Sequence, residues 1–174
     1  MTPRIINDGL YGLQNGDTGT FLKCYTSNLG GDTKFIVTDP EESRNVLAYA
    51  FIVHVVQSSP LVITLKTAKS GENISCVTLG SVPKRDNRSD VQWTVRDGQF
   101  QDNFYLLESA DGNHLWMGAS GDHSLQGNIG DYKNNTSRLG AHLYWHFVPL
   151  PKEGNMLEER NDIYQRLRRA QFDF

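Results

Sequence analysis

The sequence predicts an all-β fold of three copies of one four-stranded unit, about twelve strands in all, followed by a helical tail. Three observations predict it. An apolar-x-Leu opening recurs at Tyr11-Gly12-Leu13, Ile63-Thr64-Leu65 and Tyr105-Leu106-Leu107, and an aromatic-x-apolar closing recurs at Phe51-Ile52-Val53, Trp93-Thr94-Val95 and Trp145-His146-Phe147. The copies span 40, 30 and 40 residues, yet the connections from 51 to 63 and from 93 to 105 are both 12 residues long. Length variation therefore sits inside the copies, and the joints between them read as fixed parts of a frame. Finally, Asn15-Gly16-Asp17, Lys69-Ser70-Gly71 and Ala110-Asp111-Gly112 put turn residues where each opening strand must reverse.

Aligning the openings superposes Leu13, Leu65 and Leu107, then Leu22, Ile74 and Trp116, then Cys24, Cys76 and Gly118. With Phe51, Trp93 and Trp145, these give layers of inward residues repeated three times. One four-stranded unit cannot bury its apolar face alone, whereas three can close a common core.

In the first copy, Tyr11 to Tyr25 reads as a hairpin, Gly30-Gly31-Asp32 as a turn, and Phe35-Ile36-Val37 as a strand ended by Asp39-Pro40. Phe51, Val53 and Val55 face one way and Ile52, His54 and Val56 the other, with His54, between apolar neighbours, read as a tolerated or hydrogen-bonded histidine. In the second copy, residues 82–90 read as a polar loop before the Trp93 strand. The third copy carries its extra length in 118–140, rich in Gly, Asp, Asn and His, and reads as the most elaborate loop system.

A first unit is expected over residues 1–150 and a helical extension over 151–174. Beyond Pro151 the alternation ends, and Met156, Ile163, Leu167 and Ala170 fall on one helical stripe. Asn155 is placed to cap the start, acidic residues lie toward that end, and Arg166, Arg168 and Arg169 toward the other, as the helix dipole favours. The stripe is expected to fold back over a barrel end. The alternative is a helix that pairs with a second copy in a homodimer or with another partner.

Composition excludes several classes. The net charge is −3 in 174 residues with no long run of Lys or Arg, so nucleic acid is not an expected partner. No apolar run is long enough for a membrane span, and no secretory signal precedes the first copy. Cys24 and Cys76 are read as reduced thiols, which fits a cytoplasmic setting. No nucleophile elbow, phosphate loop or zinc-helix motif occurs, so neither catalysis nor a cofactor is expected. His114, Asp122 and His123 match no ligand spacing, so no metal is expected either.

The threefold pattern over residues 8–150 resembles the β-trefoil. The start Asp8-Gly9-Leu10-Tyr11-Gly12-Leu13-Gln14-Asn15 is similar to the opening of the cytosolic mushroom trefoils, which comprise ricin B-like lectins and inhibitors of cysteine or serine proteases. The resemblance implies a fungal, cytoplasmic, non-enzymatic binding protein, and two functions follow as expectations. As a carbohydrate-binding lectin, the protein would recognise a glycan or glycoprotein through the third copy. That copy supplies Asp111, Asn113, His114, Trp116, Asp122, His123, Gln126, Asn128 and Tyr132 as hydroxyl-binding and stacking groups. Trp116 aligns with inward residues and so reads more as core than as platform. The ricin-type Asp and Gln positions hold instead Lys23, Ser75 and Met117, and Tyr49, Val91 and Leu143, so any sugar site would be of another kind. As a protease inhibitor, the protein would use a protruding loop, either Lys84-Arg85 or Lys133-Asn134-Asn135. In both cases recognition is expected in the third-copy loops rather than the tail.

Overall fold

A computed structural model describes residues 3–26, 33–41, 45–69, 71, 73–74, 85–86, 92–98, 100–110, 115–120, 127–133, 140–151 and 156–174. The first copy contributes β1 (Gly9–Asn15), β2 (Phe21–Thr26), β3 (Thr33–Thr38) and β4 (Phe51–Ser58). The second contributes β5 (Leu61–Thr67), β6 (Asn73–Ile74), β7 (Arg85–Asp86) and β8 (Trp93–Asp97). The third contributes β9 (Phe104–Ser109), β10 (Leu115–Ser120), β11 (Gly127–Lys133) and β12 (Tyr144–Pro149), and helix α1 (Met156–Phe172) follows.

Six strands close a barrel. Antiparallel pairing runs β1–β4–β5–β8–β9–β12 and returns to β1. The remaining strands form the hairpins β2–β3, β6–β7 and β10–β11. The register repeats threefold. Leu13, Leu65 and Leu107 stand opposite Phe147, Val53 and Val95. The closing aromatics Phe51, Trp93 and Trp145 stand opposite Tyr11, Ile63 and Tyr105 within their own copies. All of these residues are buried in one cluster, as the period-two alternation requires.

The alignment inside the third copy is one residue longer than the sequence reading had it. Gln14 pairs with Phe21 and Lys66 with Asn73, seven residues on, but Glu108 pairs with Trp116, eight residues on. Met117, not Trp116, is therefore the counterpart of Leu22 and Ile74, and it joins them in the central cluster. The indole hydrogen bonds agree: Trp93 Nε1 donates to the Ile74 carbonyl at 3.3 Å, and Trp145 Nε1 to that of Met117 at 3.0 Å. Ala119 takes the place assigned to Gly118, equivalent to Cys24; it packs on the central cluster and Cys24 is buried within it. Cys76 lies outside the described residues, as does the Gly30-Gly31-Asp32 turn.

Two further expectations change. Within the polar 82–90 segment, Arg85 and Asp86 form a strand paired with Ile74 and Asn73, because the second copy too needs a closing hairpin. Within 118–140, most of the described length is strand rather than loop. β10 and β11 pair over six positions, from Leu115↔Lys133 to Ser120↔Asn128. Glycines at 118, 127 and 130 look like loop residues in sequence, but the cross-strand ladder holds them extended.

The helix folds back on its own chain, against the barrel flank rather than an end. Ile163 and Leu167 pack on outward residues of β1 and β12 (Leu10, Val148) and on Leu150, together with Val46, Tyr49 and Ala50 of the short 3₁₀ segment before β4. These residues leave an apolar stripe on the outside of the barrel that water would otherwise meet. Covering it contributes about 1.5–3 kcal/mol for each large side chain buried. Gly12 permits the approach, because a Cβ there would stand 2.6 Å from Leu167 Cδ2. Gln14 Nε2 donates to the Ala170 carbonyl at 3.1 Å, and Gln171 donates to Asp39. The apolar stripe is thus buried within the chain rather than left for a second copy. Asn155 and the side chain of Met156 lie outside what is described.

Candidate functional site

The third copy presents its loops from a hairpin as long as that of the first copy, β2–β3, which also has six pairs. β10–β11 is six pairs long, whereas β6–β7 has two. Its outer strand also docks on the first copy through Gly127↔Val37 and Asn128↔Ile36. Of the expected sugar-facing residues, Asn128 stands opposite Ser120, and Tyr132 opposite Trp116, both in β11 rather than in loops. Asp111, Asn113, His114, Asp122, His123 and Gln126 lie outside the described residues, so their mutual geometry stays an expectation. The same holds for Lys84, Asn134 and Asn135. Arg85 and Lys133 occupy strand positions opposite Ile74 and Leu115.

Trp116 is corrected. Only 3% exposed, it packs with Phe104, Leu106, Leu143 and Tyr144 and has no open face for a sugar. The physical reason is the extra residue in its hairpin. That insertion moves Trp116 off the inward layer onto the outer surface of β9 and β12, where a second apolar cluster encloses it.

A different concave site appears at the joint between the second and third copies. Pro3 and Arg4 of the N-terminal segment, the β8–β9 connection and the start of β9 enclose a cavity of about 750 Å³ with His146, Phe147 and Pro149. Ligand pockets commonly measure ~300–1,000 Å³. Its walls are mixed: Asp97, Gln101, Asp102 and Asn103 alternate with Phe100, Phe104 and Tyr105. Phe100, 40% exposed, stacks on Tyr144 with ring centroids 4.7 Å apart and meets Phe104 edge-on at 5.8 Å. The Tyr144 hydroxyl donates to the Gly98 carbonyl at 2.6 Å and so pins the start of the connection. Asn103 adopts φ 70°, the left-handed conformation that Asn tolerates best after Gly. Burial, then the carboxylates of Asp97 and Asp102, raise the Tyr105 pKa, so its hydroxyl stays protonated and can both donate and accept.

His146 sits between this cavity and a smaller one, about 330 Å³, that reaches Arg166, Arg169 and Asp173 of the helix end. Gln14 gives its amide hydrogens to the Gly19 and Ala170 carbonyls, leaving its oxygen to accept from His146 Nδ1 at 3.1 Å. Burial lowers the His146 pKa. A histidine held neutral in the fold binds fewer protons than it does unfolded, so stability rises with pH across that window. The stability of the wild type should therefore fall as pH drops through 6.5 toward the lowered native value. His146→Gln should flatten that part of a denaturation-midpoint curve measured from pH 7.5 to 5. An unchanged slope would remove His146 as its cause. His54, by contrast, is exposed and pairs with exposed Asp8 at 3.0 Å, an arrangement of little energetic weight.

Sequence reading missed the joint because its length matches that of its partner. Both connections have 12 residues, but the first is drawn out into long strands with a turn at Ser59–Pro60. In the second, β8 stops at Asp97 and β9 begins only at Phe104. The available signal was Phe100, an aromatic set among Asp97, Gly98, Gln101, Asp102 and Asn103.

No protein-family model matches this sequence, and no curated protein matches it. Solved structures do. A designed threefold-symmetric protein, ThreeFoil, superposes with a TM-score of 0.65 at 16% identity, covering 82% of this chain and 100% of its own. The ricin B-like lectin of Macrolepiota procera, in complex with lactose, gives 0.64 at 15% identity, covering 83% and 98%. The Rhizoctonia solani agglutinin gives 0.64 at 18% identity, covering 85% and 99%. At such identities the likeness speaks to architecture alone: the chain is a β-trefoil, and in fold it resembles the mushroom lectins.

Proposed function

We propose that the protein binds carbohydrate and recognises glycans through the loops of its third copy. The observation that carries this reading is the β10–β11 hairpin, six pairs long and tied to β3. A recognition loop loses least entropy on binding when a rigid strand pair holds its ends, and the sequence between and beside these strands is the richest in hydroxyl-binding side chains. The trefoil neighbours that are lectins, one of them holding lactose, support the ligand class.

A glycan array tests it. Asp122→Ala with Asn128→Ala should abolish array binding, while stability moves by less than about 1 kcal/mol, the usual scale for surface changes. Unaltered binding by that folded variant would remove the third-copy loops from the site. If instead the protein binds no glycan but blocks a papain-like, legumain-like or trypsin-like protease, and Lys133→Ala or Asn134→Ala relieves the block, the protease reading replaces the carbohydrate one.

A further inference from the structure

The two joints of the trefoil frame are equal in length and unequal in use. At the first, the chain is consumed in a long hairpin, β4–β5. At the second, the same length gives up strand and delivers Phe100, Gln101, Asp102 and Asn103 to the rim of the 750 Å³ cavity. The frame does not require this, since its threefold register is complete with the shorter β8. It has a cost as well: an exposed aromatic ring and a non-glycine residue at φ 70°.

The lining indicates the ligand class. Phe100 offers apolar ring surface to the C–H side of a sugar ring, with the buried Phe104 edge-on against it. Around them stand the amides of Gln101 and Asn103, the carboxylate of Asp102 and the protonated Tyr105 hydroxyl, which together can accept from and donate to vicinal hydroxyls. Among the described lining residues Arg4 stands against Asp97 and Asp102, and the adjoining smaller cavity adds Arg166 and Arg169 against Asp173, so the walls carry no net positive charge that would favour an anion such as a phosphate or a sialic acid. Its volume exceeds what one pyranose ring fills. We infer that the groove between the β8–β9 connection and the N-terminal segment is a second carbohydrate subsite that takes a neutral oligosaccharide. The ligand class rests on the carbohydrate reading above; the location is independent of the third-copy loops.

Backbone amide NMR of the full chain, titrated separately with lactose, chitotriose and maltotriose and with a sialylated lactose as the anionic arm, separates the two sites. Saturable shifts at residues 97–105 and at His146 with a neutral sugar, and none with the sialylated one, are expected. In Asp102→Ala/Asn103→Gly, where glycine retains access to positive φ, those shifts should weaken by about tenfold in affinity, the loss of one or two good hydrogen bonds. Shifts confined to residues 111–128 would overturn the groove and leave the third-copy reading standing. Shifts confined to the groove would do the reverse. Tighter binding of the sialylated sugar in the groove would overturn the neutral assignment. No saturable shift with any of the four probes would overturn the groove, and only silence on the glycan array as well would remove the carbohydrate reading.

Discussion

Trp145→Ala should destabilise the protein by about 3–5 kcal/mol, the largest single loss expected from the barrel. Trp145 is fully buried, stands opposite Tyr105 within its copy and Asn15 across the joint, and donates Nε1–H to the Met117 carbonyl. Removing it empties an indole-sized volume where three copies meet and leaves that carbonyl without its partner. With a total stability on the order of 5–15 kcal/mol, the variant would lose a large part of its margin. Trp145→Phe separates the two effects. It keeps most of the volume and loses only the hydrogen bond, so about 1–2 kcal/mol is expected. The first copy already shows the outcome, for Phe51 fills the equivalent place without an N–H to donate. Urea midpoints of the two variants give both numbers. A cost below about 1 kcal/mol for the alanine would mean that the closers do not carry the core.

The frame was legible in the sequence because burial enforces it at each step. Leu13, Leu65 and Leu107 must face inward at a fixed distance from the next closer, and a polar side chain buried there would carry its desolvation cost. What failed was counting inside a hairpin. Turn residues do not contribute to the core, so the single extra residue before Trp116 left no mark on the alternation. Yet it moved a tryptophan from the core to the outer cluster and put Met117 in its place. The candidate site was less legible for a related reason. Loop polarity is what any solvated loop shows, so Asp122 and Asn128 stand out only through the architecture beneath them. The joint groove is hidden because equal length suggests equal structure, and length does not say where a strand ends.

Tail docking includes one contact that a pair of substitutions can isolate. Leu167, fully buried, reaches the barrel flank over Gly12, where a Cβ would lie 2.6 Å from its Cδ2 and 3.7 Å from Phe21 Cδ1. Gly12→Val should overpack this contact and cost about 1–3 kcal/mol. The barrel strand is hydrogen-bonded to β4 and β12 and cannot yield, so the helix must shift. Leu167→Ala should cost about 2–5 kcal/mol by leaving a cavity in the same place. Both variants should expose the Arg166–Arg169 segment to trypsin faster than the wild type. The double variant decides the matter, because valine at 12 then occupies the space that alanine at 167 vacates. Its loss should fall short of the sum of the single losses by about 1–2 kcal/mol, the coupling expected of residues in contact. Strict additivity would mean that the helix is held elsewhere, through Gln14 and Gln171 rather than through this packing. Stabilities of all four proteins measured on one denaturant scale would show which.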